Sequence, residues 1–384
     1  MSHARFPTEK AYGRQMAEAC SALVRLGHDV TLVVPTVNPN APADPHAAYG
    51  VEPSFPVVRL PHFDPWTTPL VPGFLKTLVG SWFYARALRR YFSSHPADLV
   101  YLRSPLLLRA ALRTDVAVLL ELHTLPGRFR RRFVGLCNRC ARVVCLTSPM
   151  RDELLSWGVD PGCVMVEGDA VDLRPFASLP SLEEAKVQWR LPTDRPVIGY
   201  AGSLVTQDTL EKGVFDLLRA CKTMADHGIR IQGWVVGGPQ DWVQRAMDLA
   251  TELGIISLVR FEGPIPAVRV PSALAACDVL VYPAPASRHP YFQRDTSPLK
   301  LFEYLAARRP IVCANLPPVR DVMDESVAQL CTPGDPASLA QAVETVLSDS
   351  RAAQGRAQKG WDRVQEYTWE KRMGRILSTL TKEP

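Results

Sequence analysis

Two acids, Asp295 and Glu303, bracket the segment DTSPLKLFE, which runs on into YLAARRPIV. A Ser-Pro turn followed by a helical pattern sets Glu303 in the first turns of a helix that starts near Ser297 and Pro298. Ser297 suits the N-cap and Pro298 the first helical position. Unpaired N–H groups at such a start hold an anionic phosphate, and the carboxylate accepts the hydroxyl protons of a ribose. The same letters also describe a capped helix with two solvated acids, and spacing alone leaves both readings standing. His123 ends the apolar run DVAVLLELH. A histidine there is either a packed residue or a group at the C-terminal end of a strand, where open α/β sheets bind ligands. Cys137 and Cys140 form a lone C-x-x-C with Cys145 close behind, and no second pair or histidine stands at zinc spacing. The nine cysteines read as reduced structural thiols of an intracellular chain. No G-x-G-x-x-G follows a strand, which argues against a dinucleotide oxidoreductase.

Something must position these groups. The chain has 384 residues, 47% apolar and 22% charged, which excludes wholesale disorder and leaves room for two or three domains. Its net charge of +5 does not require nucleic acid, but suits an anionic substrate or surface. There is no run of about 18 apolar residues, and MSHARFPTEKAYG lacks the apolar core of a secretory signal. Nearly continuous apolar runs at 27–35, 96–103, 115–123 and 141–148 read as buried parallel strands, with a helical stripe (Met16, Cys20, Leu23, Val24) between Gly13 and Leu26. A second series follows at 195–203, 229–238, 257–263, 278–283 and 309–314. The segment 176–194 shows no strand signal and reads as a connection, and 360–380 reads as a terminal helix anchored by Trp361, Tyr367 and Trp369. The βαβα order predicts an α/β protein of two Rossmann-like, doubly wound domains facing a central cleft. Their expected bounds are 1–180 and 190–368, with 369–384 packing back toward the first.

DTSPLKLFE resembles the E-x7-E region of family 4, the retaining glycosyltransferases of GT-B fold, here as Asp-x7-Glu. Other stretches fall in that family's order: RFPTEKAYGRQMAEACSALVRLGHDVTLVVP (5–35), LLELHTLPG (119–127), DAVDLRPF (169–176), GYAGSLVTQDTLEKGVFDLLRA (199–220) and VVGGP (235–239). The resemblance implies transfer of a sugar from a nucleotide-diphosphate donor, UDP- or GDP-linked, to a hydroxyl acceptor with retention. It implies a first domain that binds acceptor, a second that binds the nucleotide, and no cofactor or metal. His123, Lys212 and Asp295 take the catalytic positions. Gly13, Ser203, Lys212, Gly238, Ser297, Leu299, Lys300 and Glu303 match donor-binding positions, with Glu303 on the ribose and the N–H groups at 297 and 299 on the diphosphate. Tyr12, Arg14 and Gln15 match acceptor contacts.

Three departures stand out. Asp295 is one methylene shorter than the family's glutamate. An arginine expected after the glycine of the second phosphate turn is absent, since the chain reads Gly202-Ser203; Lys300 is the candidate replacement. A short central strand precedes segments like SHARFP in the family, whereas Met1 stands directly before it here, which implies a truncated first strand, through a downstream start codon or a shortened chain. Basic and apolar residues also cluster at 71–92 (Phe74, Lys76, Leu78, Trp82, Phe83, Arg86, Arg89, Arg90) and 127–133 (Arg128, Arg130, Arg131, Arg132). They fit a cytoplasmic protein peripheral to the inner face of a membrane, steering of anionic donors, or a merely solvated arginine-rich face. Polysaccharide, glycolipid and natural-product glycoside synthesis are all compatible. Competing readings are a nucleotide-sugar epimerase or hydrolase on this fold, and a non-catalytic partner subunit.

Overall fold

The computed structural model describes residues 6–8, 11–36, 44–52, 54–65 and 72–380. Residues 1–5, where the truncated strand was expected, lie outside them. The chain divides into two α/β units. Unit 1 takes the chain to Asp169, then Arg294–Thr296 and everything from Trp369 on. Unit 2 takes Ala170–Gln293 and Ser297–Thr368.

Unit 1 runs α1 (Ala11–Arg25), β1 (Leu32–Pro35), α2 (Pro45–Tyr49), β2 (Val57–Leu60), α3 (Gly73–Phe92), β3 (Leu99–Leu102), α4 (Leu108–Ala111), β4 (Ala117–Leu122), α5 (Arg130–Cys137), β5 (Arg142–Cys145), α6 (Ser148–Trp157) and β6 (Val164–Val166). β1 pairs with β2, and β3-β4-β5-β6 form a separate sheet, all parallel. Among the described residues no ladder joins β1 to β3, yet Val33 of β1 shares an apolar cluster with Val100 and Leu102 of β3. Cys137, Cys140 and Cys145 are buried there, and burial pushes the thiols of Cys140 and Cys145 up to about 12, which leaves them unreactive.

Unit 2 runs α7 (Leu182–Gln188), β7 (Val197–Ala201), the hairpin β8 (Val205–Thr206) and β9 (Leu210–Glu211), α8 (Val214–Asp226), β10 (Gln232–Val236), α9 (Gln240–Glu252), β11 (Val259–Gly263), α10 (Val270–Ala275), β12 (Val279–Tyr282), α11 (Leu299–Ala306), β13 (Ile311–Ala314), β14 (Gln329–Cys331), α12 (Pro336–Ser348) and α13 (Ser350–Val364). Its six-stranded parallel sheet has the order β11-β10-β7-β12-β13-β14. Strand order reverses between β7 and β12, so the loops that follow these two strands flank the topological switch point.

Two expectations need correction. The segment 176–194 is not a bare connection: Ser181 and Glu184 form a capping box that starts α7, and Trp189 is buried against Trp234. The terminal stretch is not one helix. α13 ends at Val364, Val171 N–H bonds the Tyr367 carbonyl, and α14 (Trp369–Ser378) starts afresh in unit 1.

Candidate functional site

At the switch point of unit 2, β7 leads into Gly202 and Ser203. Gly202 has φ +139, and a Cβ there would lie 2.8 Å from Lys300 Nζ. The missing side chain is therefore where the Lys300 ammonium sits. Lys300, 8% exposed, donates to the Tyr200 hydroxyl at 2.5 Å and lies 3.8 Å from the centre of that ring. Tyr200 in turn donates to the Ser203 carbonyl. Among the described residues no carboxylate comes within ion-pair distance of Lys300. Burial, then repulsion from Lys212, holds its ammonium well below the usual lysine range. Lys212 is half-buried, 5.8 Å from the Tyr291 ring centre. Its backbone is fixed from both sides: its N–H bonds the Leu204 carbonyl, and the Glu211 carboxylate accepts from Gly213 N–H at 2.7 Å and Phe215 N–H at 3.2 Å, capping α8. Gly238 joins the same loops, its carbonyl accepting from Leu204 N–H at 2.8 Å. Ser203 is exposed and turns its hydroxyl to the Val205 carbonyl. Two cations that disfavour each other, held at a switch point, make a receptor for an anion.

The start of α11 differs from expectation. Pro298 is the N-cap, with φ −82° and ψ 117°, and Ser297 lies one residue outside the cap. The extended ψ at Pro298 is that of an N-cap, so Leu299 and Lys300 are the first helical residues. Glu303, half-buried, follows Lys300 at the i+3 spacing that shares a helix face. Asp295 belongs to unit 1. Arg294 clamps its carboxylate (Nε–Oδ1 2.5 Å, Nη2–Oδ2 3.2 Å) and also bonds Glu153 at 2.5 Å.

Unit 1 gathers a second cluster at the C-terminal ends of its strands. His123 follows β4 and Arg103 follows β3, and the Arg103 guanidinium contacts the imidazole, the Gln15 side-chain oxygen at 2.8 Å and the Tyr12 carbonyl at 3.4 Å. Gln15, buried, passes the link on to Asp169 through a 2.8 Å bond. Glu121 lies under both, 2.7 Å from His123 Nε2 and 3.0 Å from Arg103 Nε. Burial, then Arg103, lowers the His123 pKa to about 4, so the ring is neutral at pH 7. Burial raises Asp169 to about 7. Arg14 is drawn toward Glu18 at 3.8 Å. Gly13 is buried, and a Cβ there would meet the Tyr49 hydroxyl, so packing already accounts for its missing side chain.

Sequence reasoning missed Arg103, Glu121, Asp169 and Arg372. Two of them carried a signal. Glu121 precedes His123 by two residues, which puts both on one face of a strand, and Arg103 ends an apolar run as His123 does.

Comparison with known proteins bears on both units. Residues 13–174 match the family model described as Glycosyltransferase Family 4, and residues 195–349 match Glycosyl transferases group 1. The chain is similar to a D-inositol 3-phosphate glycosyltransferase of Thermomonospora curvata, 26% identical over 62% of this chain and 56% of that protein. It is also similar to a 2-deoxystreptamine N-acetyl-D-glucosaminyltransferase of Streptomyces fradiae, 30% identical over 58% and 52%. The chain thus spans about half the length of the curated relatives it matches. A crystal structure of a glycosyltransferase from Rickettsia africae superposes with TM-score 0.77 at 14% identity, covering 99% of this chain and 96% of that one. Anabaena HepE in complex with UDP-glucose superposes with TM-score 0.71 at 18% identity, covering 98% of each.

Proposed function

We propose, for a chain that belongs to family 4 of the glycosyltransferases and has the GT-B fold, that it transfers a sugar from a nucleotide-diphosphate donor to a hydroxyl acceptor with retention. Unit 2 takes the nucleotide. Lys300, Lys212 and the first N–H groups of α11 face the diphosphate, and Glu303 accepts the ribose hydroxyls. These groups are strongest when negative charge builds on the departing diphosphate, so they favour the transition state over the bound donor. The UDP and UDP-glucose complexes of HepE support a donor of this class. His123, neutral and able to hydrogen-bond, serves unit 1 as a contact to a sugar hydroxyl rather than as a nucleophile. The acceptor attacks on the face from which the diphosphate leaves, without a covalent carboxylate intermediate.

One observation carries the donor reading: the buried Lys300 ammonium has the Tyr200 hydroxyl but, among the described residues, no carboxylate. A buried cation without an anion is costly, and a diphosphate supplies the counter-charge. Calorimetric titration of UDP and GDP should show one nucleotide binding. Lys300→Ala should weaken it by roughly tenfold or more, the scale of one charge-assisted bond, and Glu303→Ala should weaken it through the ribose. Folded protein that binds neither nucleotide would overturn the reading. A single observation favours the non-catalytic alternative, namely the engagement of Asp295 by Arg294; nucleotide binding with no sugar release or transfer from any donor would select it.

Peripheral contact with an anionic bilayer is proposed through α3. No helix among the described residues is long and apolar enough to cross a membrane. Yet Leu78 and Trp82 are each 57% exposed on the outer face of α3, beside the bases Arg86, Arg89 and Arg90. The Phe74 side chain lies outside the described residues.

A further inference from the structure

The last helix reaches the His123 cluster through one side chain. Arg372 of α14 is 1% exposed, and its Nη2 bonds Glu121 Oε2 at 2.8 Å. Its Nε donates to the Gly168 carbonyl at 2.6 Å, and Nη1 lies 3.3 Å from the Tyr101 hydroxyl, which itself donates to Glu121 Oε2. The other carboxylate oxygen, Oε1, faces His123 Nε2 and Arg103 Nε. One buried carboxylate therefore couples α14 to both groups that end β3 and β4.

His123 Nε2 is contested. Glu121 only accepts hydrogen bonds, so toward it the nitrogen must carry the proton; Arg103 only donates, so toward it the nitrogen must not. A carboxylate free to rotate would settle both oxygens on the Arg103 fork, the stronger partner, and release the imidazole.

We propose that Arg372 is a positioning residue: by holding Glu121 Oε2 from the far side, it keeps Oε1 on His123, fixes the proton on Nε2 and leaves Nδ1 as the acceptor for a sugar hydroxyl. This rests on the reading of His123 as a site residue. Its test needs no substrate, so failure of the proposal and failure of the donor reading are separable.

The experiment is two-bond 1H–15N correlation of the imidazoles across a pH titration of the full chain, with His123 assigned by the loss of its signals in His123→Gln. The parent should show neutral His123 with the proton on Nε2 from pH 6 to 8. In Arg372→Met, both tautomers should be populated, because Glu121 Oε1 is no longer held on Nε2. Arg372→Lys retains a charge but has one donor centre for several acceptors; there too the tautomers should mix. If the Met variant does not fold, the Lys variant decides alone. Arg375→Met is the control, since Arg375 lies on the same helix and pairs with Glu167 at 2.6 Å. It should leave His123 unchanged. A pure Nε2–H tautomer in the folded Arg372 variants, or an equal disturbance in Arg375→Met, would overturn the proposal.

Discussion

His123 and Asp169 belong to one buried network, and their pKa values are driven in opposite senses, to about 4 and about 7. A histidine depressed from 6.5 makes the unfolded chain the better proton binder between the two values. Its stabilisation is therefore present above pH 6.5 and is lost as pH falls toward 4. A carboxyl raised from 3.8 makes the folded chain the better binder, so its stabilisation is present below pH 3.8 and is lost as pH rises through 7. Each effect is on the order of 3–4 kcal/mol at about 1.4 kcal/mol per unit, and over the shared window they offset. Urea unfolding between pH 4 and 7 should show this only in variants. Asp169→Asn should lose stability on acidification, because the His123 trend remains; His123→Gln should gain it. Slopes of one sign in both variants would count against the network. Neither shift was legible in the sequence, because each depends on burial and on arginines distant along the chain.

At the scale of elements, most of the architecture was legible, and the losses have physical causes. The long apolar runs that became β4, β5, β7, β10, β12 and β13 are buried at nearly every residue, and such strands announce themselves without context. β2, β6 and β14 lie at sheet ends and are mostly half-buried, so they lack that signal. The N-cap of α11 was misplaced because serine and proline preferences are averages, and either order places a helix within one residue. The start of α8 is more demanding. Gly213 has φ +88, and a Cβ would lie 2.5 Å from the Ala284 nitrogen, in the loop after β12. Gly213→Ala should cost roughly 2–4 kcal/mol, the strain of the left-handed region plus a backbone collision. Gly254→Ala, at φ +70 with open space around it, should cost only about 1–2 kcal/mol. Calorimetric melting would compare them, and equal losses would mean that the Ala284 loop gives way freely. Because Gly213 adjoins Lys212, the first variant should also weaken nucleotide binding and the second should not.

Among the described residues the large exposed aromatics lie in unit 1, beside exposed arginines, a juxtaposition that a helical projection suggests but only packing decides. Ser81, Tyr84 and Leu88 of α3 are buried, which turns Leu78, Trp82, Arg86 and Arg89 outward. Phe63 and Phe83 extend the patch, with ring centres 5.1 Å apart, and α3 contains no acidic residue. In the same unit Phe129 is 81% exposed at φ 61°, flanked by Arg128 and the arginines that open α5. A second copy of this chain would be repelled by such a surface, whereas anionic headgroups attract each base by about 1 kcal/mol and the interface accepts the rings. Sedimentation with phosphatidylglycerol-containing vesicles should carry the protein down at low salt and release it as salt rises; phosphatidylcholine alone should not bind. Leu78→Ser with Trp82→Ser should cut binding by roughly tenfold or more, as about 2–3 kcal/mol of apolar burial is lost, while nucleotide affinity in unit 2 stays unchanged. Equal binding to neutral vesicles would remove the charge argument. Absence of binding, with concentration-dependent self-association abolished by the double variant, would assign the patch to a second copy instead.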